Sequence, residues 1–425
     1  MPLYCRLSLN ARRLRTAYID AQERKPSNEC IDVYVDGRFN FERLGRFLAR
    51  HGLLATWPRT PTGRLVTSGK VLEIIAEEHK IIADLFLCRA TVDLLEGIGS
   101  SFNAAGEIEE DEDKAKGLQI CPDGRSRAAL MCFGTKTSRN APKGNRFIGT
   151  CPAWMWSLVQ PEPGRAVAIL DYVAQELRIA AIRSGDPALL ALSARPDPHI
   201  EMAIWFNLAP PGATKATHRE ARAIGKILGL AMLFAGGPRM INAKTKIGHP
   251  RAVELYQRLR ARFTVFFEWS DRFAYRGLSA APIYTPLGWR HWPRYWKKGE
   301  LPDRTCRNFP IQGAGADILR VAATRAFETG IHICALVHDA LVIEAELVDI
   351  DRIAAVTRQI MIDAAIAVIG APISVDCKIT RYPDRVHDDD GEEDFNMLMA
   401  MLAEIEGERG AEIATLPGEI ARIGA

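Results

Sequence analysis

Nine cysteines are present, yet none sits in a C-x-x-C pair. That scatter removes the usual zinc signatures and offers no disulfide framework, so reduced thiols in a reducing compartment are expected. Long apolar runs are also missing. The longest, around Ile227 to Ala235, falls well short of the roughly 20 residues that cross a bilayer. The opening Met1-Pro-Leu-Tyr-Cys-Arg-Leu-Ser-Leu-Asn-Ala-Arg-Arg has no apolar core suited to a signal peptide. Low-complexity tracts and repeat periods are absent too. Together these absences predict an untargeted, soluble, cytoplasmic chain with no membrane partner. The 425 residues are enough for a large core divided into two or three subdomains.

An excess of one charge is lacking as well, since the formal net charge is only +3. The total therefore says nothing about nucleic acid, but its distribution does. Residues 215–304 carry 18 Lys and Arg against 6 Asp and Glu, a local excess suited to a phosphate-facing surface. Acid gathers instead in Glu107-Ile-Glu-Glu-Asp-Glu-Asp113 and Asp388-Asp-Asp-Gly-Glu-Glu-Asp394, which read as solvated loops.

Against this background two stretches stand out. Ala166-Val-Ala-Ile-Leu-Asp171 reads as a buried strand ending in an acid, with a helical pattern from Gln175 to Ser184 directly after it. Ile333-Cys-Ala-Leu-Val-His338-Asp339-Ala-Leu-Val-Ile-Glu344 reads as a hairpin with a carboxylate at its turn. An acid at the end of a buried strand is costly unless something compensates it. A pair of Mg²⁺ ions between two such acids would do so and would serve phosphoryl transfer.

These stretches resemble motifs of the family A DNA polymerases, the DNA polymerase I superfamily. Asp171-Tyr172 with Gln175-Glu176-Leu-Arg resembles motif A, Arg222-Ala-Ile-Gly-Lys226 resembles motif B, and Leu336-Val-His338-Asp339 resembles motif C. Each is common alone; all three occur in the family's order. Arg304-Thr-Cys-Arg-Asn308-Phe-Pro-Ile-Gln312-Gly-Ala-Gly-Ala-Asp is the most specific match, and its small residues suit close backbone packing, with Gly330 ending that helix. Phe133-Gly-Thr-Lys-Thr-Ser-Arg139-Asn-Ala-Pro is similar to the strand pair leading to the family's T-x-R and N-x-P. The tail Lys378-Ile-Thr-Arg-Tyr-Pro-Asp-Arg385 resembles a branch found in phages and mobile elements.

The resemblance implies an α+β, right-hand polymerase fold with an antiparallel-sheet palm and helical thumb and fingers. It divides the chain into an N-terminal extension (1–40), thumb (41–120), palm (121–200), fingers (201–300), palm again (301–390) and a C-terminal tail (391–425). It implies addition of deoxynucleoside triphosphates to a primer on template DNA by a monomer, using two Mg²⁺ ions that Mn²⁺ can replace. Asp171 and Asp339 are the implied catalytic pair, with Tyr172 as a further metal contact. Glu176, His199, Arg222, Lys226, Leu230 and Phe234 are the implied nucleotide contacts. Arg139, Arg304, Asn308, Gln312 and His338 are the implied DNA contacts. Glu176, in the steric-gate position, argues for deoxynucleotides. Length leaves no room upstream for a proofreading or 5′-nuclease domain, so neither is expected.

Departures from the family pattern are equally specific. Trp156 stands where an arginine is usual, Leu230 where an aromatic is usual, Phe234-Ala235 for Tyr-Gly, and Ala340 for the glutamate after His-Asp. They keep two other readings open: a catalytically weakened primer-template-binding protein, or an enzyme like the single-subunit RNA polymerases.

Local patterns complete the expectations. Phe41, Leu44, Phe47 and Leu48 make an amphipathic helix, Trp57 opens a turn-rich link, a long helical segment covers 68–96, and Phe395 to Ile405 is an amphipathic helix. Residues 1–40 show little pattern. Thr217-His-Arg-Glu220 has the form of a capping box, with Gly236-Gly237 available to end the helix it starts. The aromatic, basic stretch from Tyr256 to Trp296 suits stacking on bases; core packing accounts equally well for Phe266, Phe267 and Trp269.

Overall fold

The computed structural model describes residues 7, 11–23, 33–35, 38–67, 129–142, 147–279, 281–293, 303–389 and 391–414, with single positions between 72 and 127. Most of the helix expected over 68–96 lies outside the described residues, as do the acidic run 107–113, residues 294–296 and the end beyond 414. None of the described helices is long and apolar enough to cross a membrane. The chain forms two compact units, one of Met1–Ala129, Pro142–Val159 and Val386–Ala425, the other of Leu130–Ala141 and Gln160–Arg385.

In the first unit, helix α1 (Ala11–Glu23) lies within the stretch expected to be unpatterned, and it buries Leu14 and Tyr18. Helix α2 (Phe41–Arg50) starts at Asn40, whose side chain accepts hydrogen bonds from the Glu42 and Arg43 amides, satisfying two N–H groups that the first turn leaves unpaired. Leu44, Phe47 and Leu48 are buried as the spacing requires; Phe41, one position into the helix, is exposed instead. Trp57 is buried in the turn-rich link, its indole N–H donating to the Val66 carbonyl. The closing helix Glu392–Ala414 contributes Leu398, Leu402 and Ile405 to the same core as α1 and α2.

The second unit carries, in order, β1 (Arg165–Tyr172), α3 (Gln175–Ser184), α4 (Pro187–Ser193), α5 (Pro198–Trp205), α6 (Arg219–Leu233), α7 (Pro238–Thr245), α8 (His249–Arg262) and α9 (Thr264–Leu278). It continues with β2 (Ile283–Tyr284), β3 (Arg290–His291), α10 (Asp303–Glu328), β4 (Ile333–Val337), β5 (Ala340–Glu346), α11 (Ile350–Ile369) and β6 (Val375–Arg381). Four strands form one antiparallel sheet in the order β6-β1-β5-β4. Two-residue alternation assigns its faces. Ala166, Ala168, Leu170 and Tyr172 pair across to Ala345, Ile343, Leu341 and Val375 and are buried. The core on that side includes Met361, Ala364 and Ala365 of α11, and the Tyr172 hydroxyl donates to the Met361 carbonyl at 2.6 Å. Asp171, one residue off that set, points to the opposite face. The α+β architecture with an antiparallel sheet is as expected.

Helix packing relies on missing side chains at a few positions. A Cβ on Gly225 of α6 would run into the His199 carbonyl of α5, and one on Gly315 of α10 would meet the Gln175 amide oxygen of α3. Asp186, buried before α4, is fully used: one oxygen caps Leu189 and the other accepts from the Phe266 amide of α9. Phe266, Phe267 and Trp269 are themselves buried, so packing, not base stacking, accounts for these three.

Two local expectations need correction. Thr217 does not cap α6: its hydroxyl is engaged with Thr214 and the His218 ring, and His218, at the cap position, makes no side-chain bond to the helix's first turn. At the other end Gly236-Gly237 does not supply the left-handed residue. Ala235 does, at φ +51°, while the Gly236 amide closes the turn on the Ala231 carbonyl, the six-residue bond of a Schellman ending. A left-handed alanine is strained by roughly 1–2 kcal/mol. Ala235→Gly is therefore expected to stabilise the protein by about 0.5–1 kcal/mol, part of the relief being offset by glycine's larger chain entropy, which a denaturant melt will read.

Candidate active site

The strand β1 ends at Tyr172, one residue beyond Asp171, because Val173 and Ala174 turn the chain at once into α3, with Ala174 left-handed at φ +46°. The tight turn sets Glu176 in the first turn of α3, beside the strand end. On the neighbouring hairpin, His338 and Asp339 form the two-residue turn between β4 and β5, and His338 takes φ +56°. Register brings the two acids together: Ala340 lies directly across from Asp171. Their carboxyl groups lie within hydrogen-bonding reach of one another. Burial, followed by the charges of Asp339 and Asp376, pushes Asp171 up to about 7. Burial also raises Asp339, against the opposing pull of Arg139.

Asp376, absent from the sequence expectations, is the third member of this row. It stands opposite Asp171 on β6, on the side away from Ala340, so its side chain shares the Asp171 face. The signal was present in the acid of Val375-Asp-Cys-Lys-Ile, but only the pairing register makes it meaningful.

A cavity of about 250 Å³ opens beside Asp339, and Arg139, Glu176, His199, Lys226, Leu230 and His338 are among its lining residues. Seven expected site residues, Asp339 included, thus converge on one space. Glu176 is bonded to Arg139 at 2.7 Å and to Gln312 of α10. Burial raises its carboxyl all the same, with those two partners opposing. Burial, then the charges of Arg222 and Lys226, pushes His199 down to about 4, so near neutral pH it is an uncharged imidazole.

Other expected residues lie differently. Arg222 is not among the cavity's lining residues; its guanidinium binds Asp197, which caps α5 through the His199 and Ile200 amides. Burial would raise Asp197, but Arg222 and those amides outweigh it and hold the carboxyl below its ordinary value. Phe234 packs against the core. The Tyr172 ring is committed to the core, which leaves only its main-chain carbonyl for a cation. On α10, Arg304 is exposed, and Asn308 keeps a buried side-chain oxygen with no partner among the described residues.

The donor set suits a hard divalent cation. Carboxylates crowded enough to share one proton repel one another when ionised, and Mg²⁺ or Mn²⁺, preferring oxygen ligands, would relieve that repulsion. Asp171, Asp339 and the Tyr172 carbonyl would be the ligands. Elsewhere in the unit, His332, Cys334 and Glu344 bring their donor atoms within 4.8 Å of one another. Glu344 is there paired with Arg165 at 3.1 Å.

Comparison with known proteins follows this geometry. The sequence profile of DNA polymerase family A matches residues 155–383. The thermostable DNA polymerase I of Thermus thermophilus is 28% identical over 334 residues, covering 73% of this chain and 37% of that protein. DNA polymerase I of Aquifex aeolicus is 24% identical over 349 residues, covering 78% of this chain and 56% of that protein. The chain thus spans somewhat more than a third of the first of these relatives and somewhat more than half of the second. A solved POL domain of Pol1 from M. smegmatis, in complex with DNA primer-template and dNTP, superposes with a TM-score of 0.67 at 19% identity. It covers 88% of this chain and 66% of its own.

The raised Asp171 sets the sign of a pH effect. Without divalent cation the folded chain retains a proton that the unfolded chain has released, so this group's contribution to stability falls as pH rises from the ordinary carboxylate range to about 7. Asp171→Asn is expected to flatten that fall, and added Mg²⁺ to raise the melting temperature of the wild type more than that of the variant. Thermal melts in chelator and in Mg²⁺ across this range provide the check.

Proposed function

The chain belongs to DNA polymerase family A, and from that premise we propose that it adds deoxynucleotides to a primer 3′-OH under the direction of a DNA template. The observation that carries this reading is the hydrogen-bonded pair Asp171 and Asp339, set beside a cavity that also holds Lys226 and His199. Two Mg²⁺ ions held by Asp171, Asp339 and the Tyr172 carbonyl would lower the pKa of the attacking hydroxyl and neutralise charge on the triphosphate.

The chain's own groups divide the remaining work. Lys226 offers a cation to the outer phosphates, where charge accumulates as pyrophosphate leaves. His199, neutral, donates or accepts a hydrogen bond there without adding charge. Arg222 acts through Asp197 as a positioning residue, fixing the start of the helix that carries His199. Glu176, held by Arg139 and Gln312, bars a sugar 2′-OH. Leu230 offers an apolar wall to the incoming base, and Phe234 supports it from the core. Arg139, Arg304, Asn308, Gln312 and His338 face the primer–template. In this reading the subdivision is that of a right hand, with thumb at 41–120, palm at 121–200 and 301–390, and fingers at 201–300.

Primer extension with dNTPs and Mg²⁺ tests the proposal. Templated products are expected, with a loss of at least about a hundredfold in Asp339→Ala, the scale of removing a group that stabilises transition-state charge. Binding to the primer end without extension, in Mg²⁺ or Mn²⁺, would sink the enzyme and leave a DNA-binding protein. Glu176→Ala is expected to raise ribonucleotide incorporation relative to deoxynucleotide by about tenfold or more, the cost of one unfavourable contact of about 1.4 kcal/mol. An unchanged ratio in single-nucleotide addition would exclude the gate.

A further inference from the structure

A second cavity, of about 290 Å³, lies where α3, α9 and β2 meet, and it shares no lining residue with the one beside Asp339. Its lining is three arginines and three aromatics: Arg183, Trp269, Arg272, Phe273, Arg276 and Tyr284. Four of them follow one face of α9, since residues 269, 272, 273 and 276 are spaced i, i+3, i+4 and i+7. Trp269 and Phe273 meet edge to face at 4.9 Å and form an apolar floor, while Tyr284 stands half exposed at the edge.

Arg272 and Arg276 are exposed and make no side-chain hydrogen bond or ion pair among the described residues, and neither lies over a ring. Arg183 is drawn into the unit, where its Nε is buried without a hydrogen-bond partner among the described residues. Asp317, the acid acting on it, has its oxygens engaged by the Leu287 amide and by Arg320. Asp271, on the same helix, is taken by Arg260 and Arg307. Solvent arginines alone would carry no argument. Here a third, partly desolvated guanidinium and an aromatic floor share one concavity with them, so an anion with a flat ring would satisfy both sets of groups at once.

We propose that this cavity binds one nucleotide unit, its phosphate held by Arg183, Arg272 and Arg276 and its base laid against Tyr284 and Phe273. The volume is at the lower end for small-ligand sites and admits a single nucleotide, not a duplex. The same chemistry is offered by a free nucleoside monophosphate and by one nucleotide of a single strand. This inference does not rest on the polymerase reading.

The test uses the full chain with two probes, a fluorescein-labelled oligothymidylate and free dTMP, the second followed by calorimetry. The variants are Arg272→Ala/Arg276→Ala and Tyr284→Ala, with thermal melts confirming that each is folded. A strand-borne nucleotide predicts about tenfold weaker oligonucleotide binding in the arginine variant. It also predicts a salt slope shallower by about 0.7 for each phosphate that is no longer neutralised. Tyr284→Ala should weaken binding with the slope unchanged. A free-nucleotide site predicts the same weakening for dTMP alone. Wild type and variants binding both probes alike, or wild type binding neither, would overturn the proposal. Primer extension on the same preparations is read separately, so failure here is distinguishable from failure of the polymerase reading.

Discussion

Everything at the candidate active site depends on one hydrogen bond between two carboxyl groups, those of Asp171 and Asp339. Acids do not approach so closely unless the backbone leaves no alternative. Here the alternative is removed by strand register: β1 and β5 are locked in an antiparallel ladder from Arg165 with Glu346 to Asp171 with Ala340. A slip of one residue would send Asp171 into the core and bring Leu170 to the open face. The apolar set Ala166, Ala168, Leu170 and Tyr172 therefore holds the acid outward by being buried itself.

The same register sets what flanks Asp171. Ala340 lies beside Asp171 on one side, and Asp376 lies beside it on the other. Negative charge around Asp171 is thus supplied from β6. The neighbouring cavity is tuned by comparable pairings. Arg139 and Gln312 restrain Glu176, and Arg222 is spent on Asp197 so that Lys226 is the cation of the pair that lines the cavity. Gly225 lets the α5 backbone approach α6 closely, and Gly315 leaves room on α10 for the Gln175 side chain of α3.

Much of this was legible from residue pattern. The strand carrying Asp171, the helix Gln175–Ser184 and the hairpin with Asp339 at its turn appear where periodicity and turn residues put them, and the long helix carrying Gln312 where the family resemblance put it. Those signals are local, arising from alternation, helical spacing and the small residues of close packing. Less was legible at helix ends. Thr217 was available as a cap, but its hydroxyl is taken by Thr214. Ala235 adopts the left-handed position although glycines follow it, because the Gly236 amide must reach Ala231.

The amino-acid sequence by itself determined the elements, the order of the motifs and the family to which they point, because each of these is written in short-range pattern. Tertiary structure alone decided which side chains meet. It made Asp376 the neighbour of Asp171, turned Arg222 away to Asp197, buried Phe266, Phe267 and Trp269, and gathered Arg183, Arg272 and Arg276 around one cavity. Contacts between residues far apart in the chain depend on strand register and helix packing, and on the competition among partners for each polar atom. None of these has a local signature.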